Sequence, residues 1–183
     1  MLNSQFKIEI LEQGWLGSEQ TDYDLCSHGR IRLVIGGQVI TSGEENYGIS
    51  ESALALLRTL KSNHDETNPV AERIVFHGCG TLLMMGCPIG INWSVTHAQG
   101  CVILNNIIRF DTTNEERSTK FPNLEARLAE VEYRKQVISF AVKAKQPFLE
   151  SPRTYYDDFD RQQFESFWKE YDALLKSEER PAE

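Results

Sequence analysis

Ile91-Asn92-Trp93-Ser94-Val95-Thr96, followed after Gly100 by Val102-Ile103-Leu104-Asn105-Asn106-Ile107-Ile108-Arg109-Phe110, is the stretch whose reading decides the fold. Both runs are rich in β-branched and aromatic residues, the types that pack well on a pleated surface. The link between them is too short for a crossover helix, which parallel pairing would require. The runs therefore read as antiparallel neighbours. Arg73 to Phe76 and Thr81 to Met85 lie just upstream and carry the same signals. Gly78, Gly80, Gly86, Pro88 and Gly90 punctuate the region, which predicts a β-meander over 72–110.

Toward the N-terminus, Phe6-Lys7-Ile8-Glu9-Ile10 alternates apolar and charged residues, the period of a half-buried strand. Gly14 and Gly17 end it, and a polar loop is expected over 18–24. Ile31 to Ile35 and Val39-Ile40 flank Gly36-Gly37. Two glycines between β-rich runs tolerate positive φ, so a tight hairpin is expected. Ser42 to Gly48 reads as a turn. Ser50 is a candidate N-cap, Glu51 suits the positive end of the dipole, and Ala53, Leu54, Leu57 and Leu60 follow at helical spacing. This predicts a short helix over 50–62.

Toward the C-terminus, Thr112 to Lys120 reads as a charged loop. Leu124, Ala126 and Leu128 alternate with Glu125 and Arg127, which fits a last strand or the start of a helix. A helix is expected from Glu130 to Leu149, interrupted by Pro152 and Arg153. A final helix capped by Asp160 carries Phe164, Phe167, Trp168, Tyr171 and Leu175. The expectation is an α+β fold. It has an antiparallel sheet of roughly six to eight strands, one short inserted helix and two C-terminal helices. All of 1–183 reads as one domain, with N-terminal strands over 1–49, a mainly helical part over 124–177 and a disordered tail over 177–183.

The 183 residues are 40% hydrophobic and 25% charged, the proportions of a globular chain that needs neither disulfides nor metals to fold. The net charge of −8 without a basic block argues against nucleic-acid binding, which draws on Lys and Arg at phosphates, and against an anionic membrane surface. It leaves a basic protein as the class of partner that charge would favour; the alternative is that the acidity serves only to keep the chain soluble. The N-terminal residues lack a secretory pattern, and no apolar run is long enough to span a bilayer, so the four cysteines read as cytoplasmic thiols. Oligomeric state is not encoded in any pattern here.

Four stretches together resemble a group of small bacterial single-domain proteins of unassigned activity: Asp24-Leu25-Cys26-Ser27-His28-Gly29, Leu54 to Leu60, Gly86-Cys87-Pro88-Ile89-Gly90-Ile91-Asn92-Trp93 and Phe159-Asp160-Arg161. The likeness covers most of the chain. It implies a bacterial source and a stand-alone domain, and it carries no catalytic residues.

Five candidate sites follow from residue chemistry. Cys26 and His28, and His77 and Cys79, each place a thiol and an imidazole at i and i+2, on one face of a strand; two such pairs would complete a tetrahedral zinc site. The same cysteines also read as small buried hydrophobes. Cys87, with His77 or His97 as base, could form a thiol nucleophile. The glycines of 77–80 and 86–90 could cradle phosphate, although they suit turns better and no Gly-Lys-Ser follows. Tyr155, Tyr156, Asp157 and Asp158 mix aromatic anchors with carboxylates and suit a basic protein surface; the alternative is that the aromatics lock the last helix onto the body. Trp93 and Trp15 could line a pocket or fill the core. The expected function is accordingly a protein-binding domain, of the toxin-immunity kind, acting through an acidic surface. A Cys/His metal protein or thiol enzyme is the alternative.

Overall fold

The structure, a computed structural model, describes residues 5–17, 21–41, 43–77, 83, 89–111 and 118–179. These residues form a nine-stranded antiparallel sheet with one inserted helix and two C-terminal helices, an α+β fold. The strands are β1 (Phe6–Gly14), β2 (His28–Ile35), β3 (Gln38–Val39), β4 (Tyr47–Gly48), β5 (Val75–His77), β6 (Gly90–Ala98), β7 (Cys101–Phe110), β8 (Thr119–Lys120) and β9 (Ala126–Ala129). The helices are α1 (Ile49–Thr59), α2 (Glu130–Glu150) and α3 (Asp158–Glu179). The sheet runs β1-β2-β4-β5-β6-β7-β8, with β3 beside β2 and β9 beside β7.

The β6–β7 hairpin is the antiparallel pair that the sequence predicts, closed by Gln99 and Gly100, both at positive φ. Gly36 and Gly37 take φ of +57° and +79°, which no β-branched residue would tolerate, and they join β2 to β3 as a two-residue hairpin. The strand count exceeds the expectation because β4 and β8, each two residues long, are too short to show a period. Tyr47–Gly48 lies inside the expected turn, and Thr119–Lys120 inside the expected loop. Of the expected strand Thr81 to Met85, only Leu83 falls within the described residues. Residues 177–179, expected in a disordered tail, extend α3.

Helix α1 sits against the sheet and under α2, and all its residues but Arg58 are buried. Burying Ile49, Leu54, Leu56 and Leu57 contributes about 1.5–3 kcal/mol each. Its cap differs from the expectation. Gly48 is the N-cap, and Ser50 lies inside the first turn, where its Oγ accepts the Ser27 amide at 3.0 Å. Ser52 Oγ accepts the Phe76 amide at 3.1 Å and donates to the Gly48 carbonyl. The two hydroxyls thus stand in for β4 where that strand stops, and they satisfy sheet amides that would otherwise be orphaned in the core. At the other end, Leu60 and Lys61 close the helix with i→i+3 bonds, short of the predicted residue 62.

The core joins Phe6 and Ile8 of β1, Ile31, Leu33 and Ile35 of β2, Ile91, Trp93 and Val95 of β6, and Tyr133, Val137, Phe140 and Ala141 of α2. Trp93 is buried against Phe6 and does not share a pocket with Trp15, which lies edge-on to Phe148 beneath the Arg153 guanidinium. Helix α3 packs through the expected apolar set, with Trp168 touching Phe148, Phe164, Phe167 and Tyr171. Its first free amides are met by Asp157, whose Oδ1 accepts from Asp160 N at 2.9 Å; Asp160 itself stands in the first turn and is not the cap.

Candidate functional site

The acidic-aromatic stretch forms the link between α2 and α3, and the structure divides its four candidate residues. Tyr155 turns inward onto Phe164, 5.6 Å between ring centroids, and belongs to the packing of α3. Tyr156, Asp157 and Asp158 face solvent, with Tyr156 73% exposed. A second segment, remote in sequence, joins them. The turn Thr21–Tyr23 lies alongside: Tyr23 stacks on Tyr156 with centroids 4.4 Å apart, and Thr154 bonds Asp22 through both its amide and its hydroxyl. Arg153 pins the junction by donating to the Thr21 carbonyl at 2.9 Å while its guanidinium covers Trp15.

The result is a patch of Asp22, Tyr23, Tyr156, Asp157, Asp158 and Phe159, the last 55% exposed. Arg161 pairs with Asp158 at 2.9 Å, an exposed contact that a partner's cation can displace at little cost. Tyr23 and Asp22 did not stand out in the sequence because their neighbours in the patch lie more than 130 residues downstream. Phe159 is legible as an apolar residue at a helix start, where burial is the ordinary expectation.

Of the Cys/His candidates, Cys26, His28 and His77 fall within the described residues, in or beside the β2–β4–β5 ladder. His28 and Phe76 both pair with Gly48, whereas His77 pairs with Tyr47, which faces Gly29. That register sets the imidazoles of His28 and His77 on opposite faces of the sheet. Cys79 and Cys87 lie outside the described residues, as do most of the glycine-bearing segments 77–80 and 86–90. Among the described residues no three His, Cys, Asp or Glu side chains converge as a metal-holding group.

Cys26 is buried beneath Leu83, whose amide donates to its sulfur at 3.2 Å, and its thiol bonds Glu51. Burial, reinforced by the Glu51 charge, pushes the thiol well above its ordinary value, so it stays neutral at physiological pH. His28 bonds Asp24 at 3.2 Å through Nε2. Glu51 is fully buried at the start of α1, accepts from Ser50 Oγ at 2.9 Å, and has its carboxyl raised by that burial. His77 is half-buried and its imidazole is lowered by desolvation. His97, the other base considered for Cys87, donates from Nε2 to the Thr59 carbonyl at 2.7 Å and so ties β6 to the end of α1.

No family model, no curated protein and no solved structure matches this chain. Among the described residues no helix is long and apolar enough to cross a membrane.

Proposed function

We propose that this chain is a protein-binding domain that engages a basic partner through the patch at the α2–α3 link. The observation that carries the reading is the exposure of Tyr156 and Phe159 beside Asp22, Asp157 and Asp158. Large aromatics are ordinarily drawn into a core. Here two of them remain in water on a link fixed by the Tyr23 stack and the Asp157 cap, so little ordering is needed on binding. Aromatic anchors ringed by carboxylates suit a surface of Lys and Arg, through stacking, cation–π contact and charge pairing. The net charge of −8 favours encounter with such a partner. A basic toxin neutralised at this surface is the specific case to test first.

The test is an array of immobilised short peptides that varies Lys and Arg content, probed with wild type, Tyr156→Ala and an Asp157→Asn/Asp158→Asn pair. Binding to Lys/Arg-rich peptides that Tyr156→Ala weakens about tenfold or more supports the reading. Hits that ignore peptide charge, or that survive both variants in folded protein, overturn it.

A further inference from the structure

A different surface carries a second site, independent of the proposed partner patch. Between Asn92 and Ser94 of β6, and Ile108 and Asn105 of β7, the pairing slips: two residues of β7 face one of β6. The extra residue is Asn106, held at φ +53°. The bulge resets the alternation of β7. Leu104 and Ile107 both point into the core, and Asn105 and Asn106 between them are both left out of it. Without it, strict alternation would turn Asn106 inward and Ile107 outward. Two adjacent asparagines therefore share the outer face of the sheet, and Asn106 Nδ2 donates to Ser94 Oγ at 3.2 Å.

These residues floor a groove of about 750 Å³, continuous through shared lining with a second volume of about 330 Å³. One wall is the Asp65–Thr67 turn. His64 fixes it: Nδ1 accepts the Val70 amide at 3.1 Å, so Nε2 carries the hydrogen that Asn92 Oδ1 accepts at 2.9 Å. The opposite wall is the segment between β8 and β9, where Phe121 is half-buried and Asn123 takes φ +62°. Left-handed backbone at a non-glycine residue is unfavourable, and such residues concentrate at functional sites. Among the described residues four non-glycine positions take positive φ, and two of them, Asn106 and Asn123, line this groove.

We infer that this groove binds a neutral, polyhydroxylated ligand, a short oligosaccharide. Each asparagine amide offers two donors and one acceptor, the match for hydroxyls that both donate and accept. The side-chain amides of Asn105 and Asn123 make no hydrogen bond among the described residues. Phe121 and Pro122 supply an apolar wall for the C–H face of a sugar ring. The lining charges do not select an anion: Arg73 and Lys120 face Asp65, Glu66 and Glu125. The volume falls within the roughly 300–1,000 Å³ of small-ligand sites.

The test is saturation-transfer NMR on the full chain with maltotriose, cellotriose and triacetylchitotriose, with inorganic phosphate and spermine as competitors. Asn106→Gly keeps the left-handed backbone and removes the amide. Asn123→Gly does the same on the wall. At least one trisaccharide is expected to bind in the millimolar range or tighter, and each variant to weaken it about three- to tenfold, the loss of one or two hydrogen bonds, with melting temperature unchanged or raised. No transfer from any trisaccharide at about 10 mM overturns the inference. So does binding by both variants that equals that of wild type, or displacement by phosphate or spermine.

Discussion

Thr59 and Tyr133 form a buried pair in which the two partners are not equivalent. The Thr59 hydroxyl has one hydrogen, and the Leu56 carbonyl accepts it at 2.6 Å. The 2.7 Å contact to Tyr133 must then run the other way, with the phenol donating to Thr59 Oγ1. Tyr133 is fully buried, and desolvation raises its phenol above the ordinary value of 10.0, so the donor keeps its proton. Tyr133→Phe removes the donor and leaves Thr59 still bonded to Leu56; the expected loss is about 1 kcal/mol, the net worth of one hydrogen bond. Thr59→Val leaves the phenol in the core with no acceptor and presses a methyl toward the Leu56 carbonyl; the expected loss is about 2–3 kcal/mol. In the double variant the stranded phenol is gone, so its loss should fall below that of Thr59→Val alone, with a coupling of about 1–2 kcal/mol. For a chain of this size 1 kcal/mol corresponds to roughly 2–4 °C in melting temperature. Urea unfolding of the four proteins at one pH, with m-values compared, reads the cycle. Additive losses, or a greater loss from Tyr133→Phe than from Thr59→Val, would refute the assignment of donor and acceptor.

Glu51, raised above its ordinary value of 4.5 by burial, binds its proton more tightly folded than unfolded. Stability should therefore fall as pH rises above the unfolded value and level off above the folded one, while Glu51→Gln flattens that fall; urea midpoints from pH 4 to 8 for both proteins test it. A Cβ on Gly29 would lie 1.8 Å from the Glu12 carbonyl oxygen, whereas one on Gly14 meets nothing within 4 Å. Gly29→Ala is expected to cost about 3 kcal/mol or more and Gly14→Ala to be neutral or mildly stabilising, readable as two thermal melts. Brief iodoacetamide labelling of the folded protein, followed by peptide mapping, should modify half-buried Cys101 ahead of buried Cys26; equal labelling would mean that Leu83 does not shield the sulfur. Arg153→Ala should loosen the Thr21–Tyr23 turn and weaken any ligand of the Tyr156 patch while leaving the groove's ligands unaffected, which paired titrations would show.

The fold was legible where period and punctuation agreed. The β6–β7 hairpin, the Gly36-Gly37 turn, α1 and the apolar stripe of α3 each carry a local pattern that the structure keeps. What escaped was set by distance or by exception. Tyr47–Gly48 and Thr119–Lys120 are strands only because β5 and β7 lie beside them. Ser50 looked like a cap because its amphipathic context is local, whereas its partner is an amide 23 residues upstream. The split of Tyr155 from Tyr156 could not be read, since adjacent aromatics carry no sign of which one faces inward. The asparagine pair was readable in principle: Val102, Leu104, then Ile107 is a broken alternation, and a bulge is the physical way to mend it.

The amide side chain of Gln13 bonds the carbonyl of Ala144, 131 residues further along, where β1 lies against α2. Seen from the ribosome, this contact sets a waiting time. Strand β1 leaves the exit tunnel with Phe6 and Ile8 uncovered, and the helix that shields its face is made only after the other strands of the sheet. At ordinary rates of about 5–20 residues per second, that interval is roughly 7–26 s. During it, β1 and β2 lack their helical cover, and a pair of strands without further neighbours leaves open edges on which other chains can add. The order of elements along this chain thus leaves an apolar strand face open during synthesis until a distant helix arrives to cover it.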